Sequence, residues 1–230
     1  WFRDGLPYIG EPTVPAGLTR RGESWLIMVV PSDPYESGPS AEEAITIGNS
    51  PPRIDGVNLT PSSPTTTDDI KAEVDGWFDG DGDGERYEYR WIVNGISDLE
   101  ETTDTYPAAK TSKGDSIRVF VTPVDVFDSG DSVSSDSVSI LNSAPGTGNV
   151  EITPAAPGPG QGLACEVIEP APDADSDELT YVVSWSMDGD EYPEYTTISA
   201  SGIAEVPAGT TDNDQTWVCT AYADDGSAAG

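Results

Sequence analysis

The 230-residue chain contains no histidine and only two cysteines. Without histidine there is no Ser-His-Asp or Cys-His catalysis and no His-ligated zinc or iron site. Basic residues are scarce as well. Ten Lys plus Arg stand against 42 Asp plus Glu, a formal charge of −32, and the lysines are only Lys71, Lys110 and Lys113. Nucleic-acid binding needs a basic surface that releases counterions from phosphate, so that partner is excluded. Long apolar runs are missing too. The longest, Trp25 to Val30, is one strand long, far short of the ~20 residues that span a bilayer. No signal peptide and no initiating Met open the chain, which reads as mature or partial.

What is abundant points to β-structure. Glycine (24), proline (20), tryptophan (6) and tyrosine (9) are plentiful, and hydrophobic residues make up only 36%. Turn formers with spaced aromatics predict an all-β chain of short strands. Two cysteines suit one disulfide and an oxidising, extracellular or cell-surface location. A high-salt environment would also account for the charge.

The chain repeats itself. Trp1-Phe-Arg-Asp-Gly5, Trp91-Ile-Val-Asn-Gly95 and Trp185-Ser-Met-Asp-Gly189 match. So do Val14-Pro-Ala-Gly17, Tyr106-Pro-Ala-Ala109 and Val206-Pro-Ala-Gly209. Val57-Asn-Leu-Thr-Pro61 and Val150-Glu-Ile-Thr-Pro154 match without a gap, and the period is 93 to 94 residues. Within one period, apolar residues alternate: Val57 and Leu59; Ile70, Ala72 and Val74; Tyr87, Tyr89, Trp91 and Val93; Ile117, Val119 and Val121; Val138 and Ile140. Period-two spacing places each set on one face of a strand.

About seven short strands per period, together with the order Cys165, Trp185, Cys219, resemble the immunoglobulin framework. The resemblance is nearest to tandem Ig-like repeats of prokaryotic cell-surface proteins, relatives of PKD and cadherin-like modules. It implies tandem Ig-like β-sandwich domains, with Cys165 and Cys219 bridging strands B and F and Trp185 packed on the bridge. Ala72 and Val119 stand at the cysteine positions in the second copy, so the fold does not require the bridge. The predicted organisation is an incomplete repeat over 1–50 beginning at strand C, a complete repeat over 51–143, and a repeat over 144–230 lacking its last strand. Such a chain reads as a slice of a longer array, whose open ends adjoining repeats or other copies would cover.

The sharpest chemical feature is an acidic loop, Asp79-Gly-Asp-Gly-Asp-Gly84, repeated as Asp173-Ala-Asp-Ser-Asp177 at an offset of 94. Alternate carboxylates in a tight turn can converge on calcium, which takes six to eight oxygens. Arg90 stands where an EF-hand would place its twelfth-position Glu, so this is no EF-hand. In an Ig sandwich the B–C and F–G loops share one end, which adds Asp125 and Asp224 to the candidate ligands Asp79, Asp81, Asp83, Asp173, Asp175 and Asp177. The alternative is a solvated acidic turn.

The functional expectation is a structural extracellular protein: a rod, filament, stalk or S-layer-like assembly, its repeats joined by Asn49-Ser-Pro-Pro52 and Asn142-Ser-Ala-Pro145. In the Trp25–Val30 strand, Trp25, Ile27 and Val29 are expected toward a core. Leu26, Met28 and Val30 then face outward, either as an assembly interface or under a local strand. The second expectation is an adhesin that binds glycan through Tyr8, Trp77, Phe78, Tyr192 or Tyr195. Enzymatic glycoside hydrolysis by paired carboxylates is set aside, because these acids recur with the repeat. Asn58-Leu-Thr60 is a lone N-glycosylation sequon.

Overall fold

The computed structural model describes residues 1–8 and 11–227. The chain is all-β, and among the described residues two three-residue 3₁₀ turns, Ala16–Leu18 and Ala108–Lys110, are the helical elements. It forms two compact units. One comprises Trp1–Thr60, Lys71–Tyr106 and Ile117–Ser137; the other comprises Pro61–Ile70, Pro107–Ser116 and Val138–Gly230. No helix among the described residues is long and apolar enough to cross a membrane.

In the first unit, β1 (Phe2–Arg3), β2 (Leu6–Pro7), β3 (Ser24–Val29) and β4 (Ala41–Thr46) form one antiparallel sheet in the order β2-β1-β3-β4. The next repeat contributes β5 (Gly56–Thr60), β6 (Ile70–Asp75), β7 (Tyr87–Val93), β8 (Ile96–Asp98), β9 (Thr105–Tyr106), β10 (Ser116–Pro123) and β11 (Val133–Ser134). They make two sheets, β5-β6-β9 and β11-β10-β7-β8. That is the A-B-E and G-F-C-C′ division of an Ig-like sandwich. The alternation predicts much of its core: Val57, Leu59, Ala72, Trp91, Ile117, Val119 and Val121 are buried, whereas Val74, Tyr87, Tyr89 and Val93 are half-buried and Ile92, on the other face of β7, is buried as well. Trp91 packs on Tyr106 and donates its indole N–H to the Thr103 carbonyl at 3.0 Å. Each such large apolar side chain contributes roughly 1.5–3 kcal/mol by leaving water.

The second unit contains the short β12 (Val138–Ser139), followed by β13 (Asn149–Thr153), β14 (Leu163–Glu169), β15 (Thr180–Met187), β16 (Asp190–Ser199), β17 (Ile203–Val206) and β18 (Trp217–Asp224). The sheets are β13-β14-β17 and β16-β15-β18, the same division again. Leu163, Cys165, Tyr181, Val183, Trp185, Ala204 and Val206 fill the core between them. The Cys165–Cys219 disulfide, Cα–Cα 6.3 Å, ties β14 to β18 and so one sheet to the other.

The Trp-headed repeat has a plain structural cause. Each copy runs from strand C into a two-residue hairpin turn. Asp4-Gly5, Asn94-Gly95 and Asp188-Gly189 all take positive φ (48 and 79°, 51 and 83°, 52 and 92°). Turns of this hand match the twist of the flanking strands and favour Asn or Asp before Gly.

One expectation for the first sheet is corrected. Trp25 is buried, but Val29, expected toward a core, is 55% exposed. Among the described residues, residues 1–46 form a single sheet, so no second layer covers that end of β3. The Trp1 and Tyr8 rings pack edge-on against Trp25 at 6.4 and 5.1 Å and bury it locally.

Candidate functional site

The acidic loops join β6 to β7 and β14 to β15, the B–C connections of their sandwiches. Both fold around their first aspartate. Asp79 Oδ1 accepts the backbone N–H groups of Asp81 and Asp83 at 2.8 and 2.9 Å. Asp173 Oδ1 does the same for Asp175 and Asp177 at 2.9 and 3.1 Å. A short carboxylate that satisfies nearby backbone donors is the ordinary reason Asp favours such turns.

The middle aspartate binds the linker entering its repeat. Asp81 Oδ2 accepts the Ser50 N–H, and Asp175 Oδ2 the Ser143 N–H, each at 2.7 Å. The linker asparagine reaches the F–G turn. Asn49 Nδ2 donates to Asp125 Oδ2 at 2.9 Å, and Asn142 Nδ2 to Asp225 Oδ2 at 2.7 Å.

The third aspartate holds a cation from the preceding repeat. The Arg21 guanidinium forks onto Asp83, with Nη2 3.2 Å from Oδ1, and also donates to Asn49 Oδ1 at 2.6 Å. Its backbone N–H donates to Asp81 Oδ1 at 2.8 Å, and its guanidinium lies 4.0 Å over the Phe127 ring. In the second unit Lys113 plays the same part. Its ammonium donates to Asp177 and, at 3.0 Å, to Asn142 Oδ1.

Charge follows this geometry. The Ser50 N–H bond is the largest cause holding the Asp81 carboxyl below its ordinary value, and the Asn49 amide is the largest for Asp125. The bond to Asp83 raises Arg21, and the bond to Asp177 raises Lys113. Each hydrogen bond favours the charged form of its partner.

Among the described residues, three buried carboxylate oxygens have no hydrogen-bond donor: Asp79 Oδ2, Asp173 Oδ2 and Asp175 Oδ1. Around them, Asp79, Asp83 and Asp125 present oxygens within 4.8 Å of one another, as do Asp173, Asp175 and Asp177. Buried anionic oxygens without donors, close to further carboxylates, fit a hard cation.

The other expected residues are placed as follows. Asp81 stands outside the first oxygen cluster, engaged by Ser50 and Arg21. Asp224 accepts the Gly226 N–H, and its neighbour Asp225 is the residue that meets the linker. Met28 and Val30 are exposed and Leu26 is half-buried. Asn58 is exposed on β5 with its amide on Asp75 at 3.1 Å. Of the candidate stacking residues, Tyr8 packs on Trp25, Trp77 on Tyr87, and Tyr192 and Tyr195 on each other and on Trp217. Phe78 lies under the Arg53 guanidinium at 4.5 Å.

Sequence reasoning missed Arg21, Lys113 and the donor roles of Asn49, Ser50, Asn142 and Ser143. A signal was present: Arg21 and Lys113 each stand seven residues after the Val14 and Tyr106 of the matched segments.

No family model matches the chain, and no curated protein matches its sequence. Among solved structures, a two-domain fibronectin type III segment of chicken tenascin is similar at 8% identity and a TM-score of 0.35, over 77% of this chain and 94% of that one. The FN1–FN3 domains of chicken CNTN1 are similar at 8% identity and a TM-score of 0.30, over 91% of this chain and 73% of theirs. Likeness at this level carries no argument about the chain, whose tandem sandwich architecture rests on its own strand order and pairing.

Proposed function

We propose that the chain is part of a structural extracellular protein, a rod or filament of tandem Ig-like repeats whose linkers are fixed by acidic loops that hold calcium. The repeats run over 1–50, 51–143 and 144–230, and the partners are adjoining repeats or further copies. The observation that carries the reading is the recurrence of one linker arrangement. Ser50 and Ser143 bind the middle aspartate of a loop, and Asn49 and Asn142 bind the F–G turn, by the same atoms. A protein selected for a ligand-binding loop has no need to repeat its linker chemistry; one selected for fixed spacing does. The disulfide supports an oxidising compartment. The exposed Met28 and Val30, with Leu26, are the candidate lateral contact between copies.

Calcium enters through the donorless oxygens of Asp79, Asp173 and Asp175. Asp79, Asp83 and Asp125 would hold one ion and Asp173, Asp175 and Asp177 another, neutralising charge that a fixed linker otherwise concentrates. Calorimetric titration of the whole chain with calcium chloride is expected to show binding heat, with a melting temperature that rises with calcium as ligand linkage requires. The heat is expected to diminish in Asp79→Asn and Asp173→Asn. No heat and no rise in melting temperature would sink the calcium reading.

A further inference from the structure

The sandwich and the acidic loops account for most of the chain's conspicuous chemistry, but not for the two basic residues of the preceding repeats that bond to the loops. A chain with 42 acids has only ten Lys and Arg, and at each linker one of the ten lies on the last aspartate of the triplet. The two differ in chemistry. Arg21 is a planar fork that also covers Phe127, whereas Lys113 is a compact ammonium. What they share is a positive charge, a bond to the linker asparagine carbonyl and a bond to the third aspartate. The shared part is therefore the charge and its place. Both side chains are only partly exposed, 28% for Arg21 and 37% for Lys113, and their carboxylate partners are 23% and 26% exposed.

We propose that Arg21 and Lys113 are tethered counter-cations that compete with a divalent cation for Asp83 and Asp177, so that each loop is closed by the preceding repeat's own charge until calcium displaces it. The inference rests on the calcium reading above and adds its regulation. Asp83 and Asp177 belong both to the oxygen clusters and to the ion pairs. A carboxylate oxygen engaged by an ammonium or guanidinium donor is not fully available as a metal ligand, and a positive group next to the cluster repels an incoming cation. Calcium binding thus includes the cost of releasing Lys113 or Arg21. The donorless oxygens of Asp79, Asp173 and Asp175 are engaged neither by the tethered cation nor by any other hydrogen-bond donor. They are the part of the site a metal finds ready.

The two loops make the test internally controlled. The whole chain and its Lys113→Met and Lys113→Arg variants are titrated with calcium chloride. The backbone amides of Asp81 and Asp83 report one loop, and those of Asp175 and Asp177 the other, by nuclear magnetic resonance. Lys113→Met is expected to tighten calcium at Asp173, Asp175 and Asp177 about two- to fivefold, the range a partly exposed ion pair commands. The other loop should stay unchanged, and Lys113→Arg should bind like the unaltered chain. Unchanged or weaker binding in Lys113→Met overturns the competition and leaves the calcium reading standing. Equal tightening in Lys113→Met and Lys113→Arg also overturns it, because the charge would then not be the cause. Absence of calcium binding at both loops in all three proteins overturns the calcium reading and the competition together.

Discussion

Gly130 shows how closely single residues are fitted to the linker. Its N–H bonds the Pro123 carbonyl at 2.9 Å to close an F–G turn, and a Cβ there would stand 1.8 Å from the Pro52 carbonyl oxygen. Gly38 closes the matching turn one period earlier through the Pro31 carbonyl at 2.8 Å, and its Cβ would meet nothing closer than the Pro31 ring at 3.2 Å. The same substitution therefore has two outcomes in one chain. Gly130→Ala must push backbone apart and is expected to cost about 1–3 kcal/mol, as overpacking does. Gly38→Ala needs only a ring to shift and is expected to cost much less. Equilibrium denaturation of both variants checks the difference, and equal costs would contradict the close approach to Pro52.

At the level of strands, the copies share an architecture but not a fastening. In the second copy Ala72 and Val119 stand in β6 and β10 where Cys165 and Cys219 are bonded in β14 and β18. The bridge closes a span of 54 residues, so constraining the unfolded chain contributes about 4 kcal/mol. Replacing both cysteines with alanine should lower the unfolding free energy of the third repeat by about that amount and leave its strand order intact. Denaturant unfolding followed by Trp185 and Trp217 fluorescence measures this; no loss of stability would show that the sheets hold without the bridge.

The core strands were legible from alternation because a buried face repeats every second residue, as at Ile117, Val119 and Val121. The Asp loops were legible because they recur in register. Short strands such as β8, β9 and β11 carry two or three residues each, too few to show a period. Val29 escaped because alternation assigns a face and not what lies over it. Arg21 and Lys113 escaped because an Arg-to-Lys change in a turn breaks the identity that makes a repeat visible, and their partner aspartates are about sixty residues away. Asp225 rather than Asp224 meets the linker because it stands six residues after Cys219, as Asp125 stands six after Val119.

For the molecule as a whole, the compact units do not follow the repeat period; each encloses one complete linker arrangement. Trp1–Thr60, Lys71–Tyr106 and Ile117–Ser137 contain Arg21, Asn49, Asp81, Asp83 and Asp125 together, and the other unit contains Lys113, Asn142, Asp175, Asp177 and Asp225. Fixing a linker in a chain of charge −32 means holding carboxylates ionised, and acid should undo it. Hydrogen bonds from Ser50 and Asn49 hold Asp81 and Asp125 below the ordinary 3.8. Around that value the unfolded chain therefore binds more protons than the folded one. The contribution of these groups is complete above 3.8 and is lost as pH falls through their lower folded values. The Ser50 amide and the Asn49 side-chain amide resonances should stay constant from neutral pH down to about pH 5 and titrate with midpoints below 3.8. A midpoint at or above 3.8 would mean that the linker amides do not bind these carboxylates in solution, and the arrangement that fixes the spacing of the repeats would fall with it.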